Sequence, residues 1–309
     1  MALHELDILA RIRALLPGGE ALQDDCGALP LPPAGEVLLV TTDLMEAGIH
    51  FQKAWHPPEL LGRKLLAVNL SDLDGSGARP MGFTLTLALP PGLEMGWLES
   101  FLTGLAAGAK DADIPVLGGD TTGSVSGISL GLTAFGFAQR WLRRDGVQTG
   151  DHIYVDQPLG RSLRGLRKLQ AGASWDPTHP DPDIACHLDP RPLLGLGPRL
   201  AELPEVHACM DLSDGLSRDL RMLANASGVT LRLATGLDQD ALTGGEDYAR
   251  CFASSLAKED LETRFGQSFT EVALAVERAA APLLVYDGGS WISMDDRSFD
   301  HFANPPDCS

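Results

Sequence analysis

Six short acidic motifs carry most of the chemistry this chain could do: Asp24-Asp25, Thr41-Thr42-Asp43, Asn69-Leu70-Ser71-Asp72, Gly118-Gly119-Asp120-Thr121-Thr122, Asp211-Leu212-Ser213-Asp214-Gly215 and Gly244-Gly245-Glu246-Asp247. They sit at the ends of apolar runs, where a fold can turn them toward a shared cleft. Carboxylates gathered this way repel one another and hold protons above their ordinary range unless cations neutralise them. Hard divalent cations take oxygen ligands, and magnesium combines one or two carboxylates with waters and substrate phosphates. The chemistry expected is magnesium-assisted work on a phosphate.

Each motif alone has a plainer reading. Asp24-Asp25 suits a turn. Thr41-Thr42-Asp43 stands where open α/β sheets place ligand groups, and it could equally cap a following helix. Asn69 to Asp72 reads also as a polar helix end, and Gly118 to Thr122 as a glycine turn between strands. Glycine backbone can donate N–H groups to a phosphate at close range. No Gly-Lys-Ser/Thr follows, so this is not a P-loop. Arg144 beside Arg143 reads either as a phosphate ligand or as a solvated charge.

The elements that must position these motifs follow from periodicity. Leu3 to Leu16 has helical spacing and stops at Pro17-Gly18-Gly19. Val37 to Val40 is a short buried strand that delivers Thr41-Thr42-Asp43 at its end, and Leu60 to Leu73 is a helix carrying Asn69, Ser71 and Asp72. Phe83 to Leu89 alternates as a strand, Leu93 to Ala109 is helical, Ile114 to Leu117 is a short strand and Ile128 to Ala138 a longer one. Beyond Gly150-Asp151 come strand His152 to Val155, helix Leu159 to Ala171, and a Pro- and Asp-rich connection from Ala173 to Pro192. Ala208 to Met210 leads into Asp211, helix Leu216 to Ala226 follows with Ser213 or Asp214 as its cap, and further strands are expected at 229–233, 248–253, 269–276 and 283–286. This pattern gives a mixed α/β chain of two domains, 1–149 and 150–309.

A length of 309 residues with 44% hydrophobic residues supplies two ordinary cores. The net charge of −18 argues against nonspecific nucleic-acid binding, so an anionic small substrate would need metal ions. No run of eighteen apolar residues and no basic-then-apolar start is present, and a soluble, cytoplasmic protein without membrane partners is expected. Cysteines 26, 186, 209, 251 and 308 have no paired spacing and read as free thiols.

Taken in order, the motifs resemble the thiamine-monophosphate kinase family, of the superfamily that includes aminoimidazole ribonucleotide synthetase and selenophosphate synthetase. The resemblance runs from Asp24-Asp25-Cys26 through Gly48-Ile49-His50-Phe51, Gly77-Ala78-Arg79-Pro80, Gly150 to Val155 and Gly244 to Tyr248, to Phe299-Asp300-His301-Phe302. It implies ATP-dependent phosphorylation of thiamine monophosphate to thiamine diphosphate by a homodimer whose amino-terminal strands join in a shared barrel. It further implies that Asp25, Thr41, Thr42, Asp43, Asp72, Asp120, Asp211 and Asp214 hold several Mg²⁺ ions, with Asp43, Asp72 and Asp120 central to catalysis. Gly119, Asp120, Arg144 and Ser213 would hold ATP, and His50, Glu246 and Phe299 would touch the thiamine phosphate. The chain departs from the family at Gln23, where Gly is usual, at Gly123, where an Arg is usual, and at Asp156-Gln157-Pro158. It also departs in a short stretch before Gly244 that is expected to lack a helix. Two other readings therefore stay open: a paralogue that binds nucleotide and metal without turnover, and a superfamily enzyme with another acceptor.

Overall fold

A computed structural model of the chain describes residues 5–22 and 26–295. Helix α1 (Glu5–Leu15) is followed by β1 (Val37–Glu46), α2 (Pro58–Gly75), β2 (Arg79–Leu89), α3 (Met95–Asp111), β3 (Val116–Gly123) and β4 (Ser129–Ala138). The second half runs β5 (His152–Val155), α4 (Arg161–Gln170), α5 (Pro182–Leu188), α6 (Leu196–Ala201), β6 (Val206–Leu212) and α7 (Leu216–Ser227). It continues β7 (Thr230–Leu233), α8 (Gln239–Thr243), β8 (Ala249–Ser254), α9 (Lys258–Phe265), β9 (Thr270–Val276), β10 (Leu283–Asp287) and β11 (Ser290–Ser293). No helix among the described residues is long and apolar enough to cross a membrane.

The first sheet has the order β1-β4-β2-β3, with only β2 and β3 parallel. Its inner face, with Met45, Leu85, Leu87, Leu130 and Leu132, is buried in the core that also takes Leu61, Leu65 and Leu73 of α2 and Leu98, Phe101 and Leu105 of α3. Each such fully buried side chain contributes roughly 2 kcal/mol of apolar transfer. Strand β1 alternates, so Leu38, Val40 and Leu44 stand exposed on the outer face while Met45 is buried on the inner one. The second sheet has the order β11-β10-β7-β9-β5-β8-β6, in which only β10 and β7 are parallel. Leu216, Leu220 and Leu223 of α7 pack on one side of it, and Leu200 of α6 and Leu261 of α9 belong to a separate core that also takes Phe252.

Several expectations need correction. Thr41-Thr42-Asp43 lies within β1 rather than beyond its end, because the two β-branched threonines continue the strand along the sheet edge. Gly118-Gly119-Asp120 likewise lies within β3 and is no turn; a Cβ on Gly119 would fall 2.1 Å from the Leu85 carbonyl, so strand packing alone requires glycine there. The connection from Ala173 to Pro192 contains α5, started by Asp181, whose carboxylate accepts from the amides of Asp183 and Ile184, and by Pro182 in the first turn. The stretch before Gly244 does hold a helix, the five-residue α8. Asp24, Asp25, Phe299 to Phe302 and Cys308 lie outside the described residues; the four described cysteines are free.

Candidate active site

The carboxyl end of α2 is pressed against β6. Thr41 Oγ1 on β1 donates to Asp72 Oδ2 at 2.6 Å, and Ser71 Oγ donates to Asp211 Oδ2 at 2.8 Å, so one helical turn reaches an element on each side. The contact is close because Gly75 has no side chain: a Cβ there would lie 2.8 Å from the Asp211 nitrogen and 3.0 Å from the Met210 carbonyl carbon. Gly75→Ala is expected to push α2 off β6, lowering stability by about 1–3 kcal/mol and turnover by considerably more than the melting temperature would suggest. Calorimetry paired with steady-state kinetics checks this.

Asp43, Asp72 and Asp211 act on one another electrostatically. Burial and the Asp211 charge push the Asp43 carboxyl up to about 6, and burial with Asp211 and Asp43 pushes Asp72 up to about 8 despite the Thr41 hydrogen bond. Asp43 Oδ2 is buried without a hydrogen-bond partner among the described residues. A buried carboxylate oxygen with no donor, beside two further carboxylates, fits a hard cation. Among the described residues no three His, Cys, Asp or Glu groups are arranged as a ready set of metal ligands.

Asp72 moves from an ordinary 3.8 to about 8, so the folded state keeps a proton that the unfolded chain releases, and stability falls as pH rises through that window. In chelator, the melting temperature is expected to decline from about pH 4 to about pH 8 and then level off, and added Mg²⁺ to restore most at the upper end. A flat profile in scanning calorimetry would contradict the assignment.

A cavity of about 530 Å³ opens beside this cluster. Thr41, Asp72 and Asp211 line it together with Arg144, while Leu39, Leu142 and Met210 supply apolar wall. Arg144 is exposed into it, and the carbonyl of Arg144 accepts from Ser227 Oγ at 2.7 Å, which ties the loop to the end of α7. Neither Ser213 nor Asp214 caps α7. Gly215 occupies that position, and Asp219, from the first turn, accepts the amides of Asp214 and Gly215 at 3.2 and 3.3 Å. Asp219 is fully buried, its Oδ1 has no partner among the described residues, and burial with the charges of Asp214 and Asp211 pushes it up to about 7. It is a fourth carboxylate of the cluster, overlooked because a helical reading of Leu216, Leu220 and Leu223 passes over the charged residue on the same face.

Glu246 belongs to a neighbouring network. Lys64 Nζ, completely buried on α2, pairs with Glu246 Oε1 at 2.9 Å, and His187 Nδ1 on α5 lies 3.2 Å from Oε2. Burial alone would raise this carboxyl, but Lys64 and His187 hold it well below the usual range. Ser162 Oγ stands 3.1 Å from the same His187 Nδ1. A Ser-His-Glu relay needs opposite ring nitrogens, so this grouping is a positioning network and no nucleophile. Burial, with the charges of Glu246, Asp43, Asp211 and Asp72, pushes the Tyr248 hydroxyl well above its ordinary range, and the Tyr248 carbonyl lies 3.5 Å from Ser71 Oγ. His50 Nδ1 accepts from the Glu46 amide at 3.0 Å, in the turn after β1.

Other expected residues stand apart. Thr42 alternates to the outer face of β1, where its hydroxyl donates to the Leu132 carbonyl and accepts from Thr133. Gly119 and Asp120 line a second cavity of about 320 Å³ with Arg13, Cys26 and Gly27. The row across the sheet is Leu44, Gly131, Thr86, Asp120. Three strand spacings of about 4.8 Å therefore set Asp120 roughly 14 Å from β1.

Residues 23–138 match the family model for the amino-terminal domain of AIR synthase related proteins. A thiamine-monophosphate kinase of Synechococcus elongatus is 34% identical over 323 aligned positions, covering 97% of this chain and 97% of its own. Among solved structures, the thiamine-monophosphate kinase of Stenotrophomonas maltophilia K279a superposes with a TM-score of 0.74 at 33% identity, covering 92% of this chain and 97% of that one. AaThiL complexed with AMPPCP and TMP gives 0.75 at 28% identity, covering 88% and 90%. E. coli HypE, at 18% identity and a TM-score of 0.75, shares the fold.

Proposed function

The chain belongs to the thiamine-monophosphate kinase family, and from that membership we propose that it uses ATP to phosphorylate thiamine monophosphate, giving thiamine diphosphate and ADP. The observation that carries the reading is the gathering of Asp43, Asp72 and Asp211 beside the cavity that Arg144 also lines. The acceptor oxygen belongs to a phosphate already anionic near neutral pH, so no general base is required. It forms the new bond to the γ-phosphorus as the bond to the bridging oxygen breaks in line, and ADP leaves with that electron pair.

Magnesium held by Asp43, Asp72, Asp211 and Asp214, with Asp25 and a threonine hydroxyl, would neutralise the charge of two polyanions brought together. The side chains hold the geometry. Asp72 is fixed by Thr41, Asp211 by Ser71, and Arg144 offers charge-assisted hydrogen bonds to the nucleotide phosphates. Ser213, on the turn before α7, presents its carbonyl to the Glu246 amide at 2.8 Å and so links the nucleotide side to the acceptor side. Glu246, His50 and Phe299 are proposed to contact the thiamine phosphate.

Two domains meeting near residue 150 are proposed, since the first sheet ends at Ala138 and the second begins at His152. A homodimer is proposed because the exposed apolar row Leu38, Val40 and Leu44 lies on an edge strand that a second copy would cover, and because Gly119 and Asp120 stand too far from the other ligands to join them within one chain.

The test is product formation by the purified chain with ATP, Mg²⁺ and thiamine monophosphate. Thiamine diphosphate is expected, and unphosphorylated thiamine, whose hydroxyl needs a base, is expected to be a poor acceptor. Binding of ATP and Mg²⁺ without product would instead make the chain a non-catalytic paralogue.

A further inference from the structure

Arg250 lies in β8 between Ala249 and Cys251, and its guanidinium is completely buried. Nε donates to Asp74 Oδ2 at 2.6 Å, and Nη1 donates to Ser71 Oγ at 2.8 Å and to the Tyr248 carbonyl at 3.1 Å. Asp74 is itself anchored, accepting the amides of Gly195 and Gly197 at 2.5 and 2.9 Å. Ser71 has one hydroxyl proton and two acceptors in range, Asp211 Oδ2 at 2.8 Å and the Tyr248 carbonyl at 3.5 Å. By donating to both the serine oxygen and the Tyr248 carbonyl, Arg250 leaves the Ser71 proton directed at Asp211.

A buried ion pair is a weak source of stability, because desolvating both charges offsets most of their attraction. Here the pair joins Asp74 on α2 to a strand of the second sheet, and Nη1 reaches the hydroxyl that grips Asp211, while Nη2 is buried without a partner among the described residues. We propose that Arg250 is a positioning residue for phosphoryl transfer, fixing through Ser71 the orientation in which the Asp211 carboxylate receives its metal ion. The proposal rests on the reading of Asp211 as a magnesium ligand. Partners that orient a metal's ligands typically change its affinity by roughly 10–100-fold when removed.

The experiment measures the Mg²⁺ concentration at the midpoint of the metal-induced rise in melting temperature, using Mg²⁺ alone, for the wild-type chain and for Ser71→Ala, Arg250→Lys, the double variant and Asp211→Asn. Ser71→Ala keeps the buried ion pair and is expected to remain folded, with its midpoint raised roughly tenfold. Arg250→Lys retains the charge but not the two-pronged geometry, and is expected to show a similar shift. The double variant is expected to shift no further than either single one, as members of one relay do. Lowered melting temperatures with an unchanged Mg²⁺ midpoint in Ser71→Ala would overturn the proposal, whether or not Arg250→Lys folds, and so would additive shifts. A wild-type chain without any Mg²⁺ response would remove the metal reading and this inference with it. A response abolished by Asp211→Asn but untouched by Ser71→Ala would remove this inference alone.

Discussion

Asp72→Asn is expected to cut thiamine diphosphate formation by roughly 10²–10³-fold while raising the melting temperature of the metal-free protein by roughly 2–5 °C at about pH 8. The opposite signs come from one cause. Asp72 is held beside Asp43 and Asp211 in a buried setting that pushes its carboxyl up to about 8, so ionising it works against the fold. Asparagine keeps an oxygen for the Thr41 hydroxyl, which donates to Oδ2 at 2.6 Å, and discards the charge. That charge is what would hold the proposed cation against two phosphorylated substrates. Parallel calorimetry in chelator and product assays in saturating Mg²⁺ separate the two effects. A variant that loses stability along with activity would show that Asp72 serves the fold.

Two inactive variants are expected to restore activity when mixed. Asp43→Asn and Asp120→Asn alter opposite edges of the four-stranded sheet, β1 and β3, which lie roughly 14 Å apart in one chain. If each site takes Asp43 from one copy and Asp120 from the other, a mixed dimer has one doubly altered site and one intact site. Random exchange makes half the dimers mixed, so about a quarter of the wild-type rate should return. Co-purification of differently tagged variants followed by the product assay measures this. No recovery from a verified mixed dimer would mean that both carboxylates act within one chain.

The architecture was legible where apolar periodicity was undisturbed, as in Phe83 to Leu89 and Leu216 to Ala226, both of which match observed elements to within a few residues. The order of the acidic motifs along the chain made the family legible, while of the motifs themselves Asp43, Asp72 and Asp211 come together and Asp120 stands apart on β3. What escaped was charge placed on core faces. Lys64, Asp74, Asp219 and Arg250 are all essentially buried, at positions where helical or strand alternation calls for an apolar residue. A reading that counts only hydrophobic matches passes over them, although a charged residue on a core stripe is itself a signal, since burying it requires a partner. The displaced boundaries have a different origin. Thr41 to Asp43 and Gly118 to Asp120 were placed outside strands by their polarity, but on edge strands one side faces no other strand and polar residues fit.

The bond from Ser71 to Asp211 joins positions 140 residues apart. During synthesis at about 5–20 residues per second, α2 is complete roughly 7–28 s before the strand it must meet has even been made. Through that interval Asp74 has no guanidinium, because Arg250 emerges later still, and Gly75 faces solvent instead of the backbone of β6. If the amino-terminal half folds within that interval it does so with a bare acidic rim, and the proposed ion site would come into being only when β6 and β8 dock against it. Magnesium binding in a ribosome release or refolding experiment would then report the last step of maturation, lagging well behind the burial of the first sheet's core.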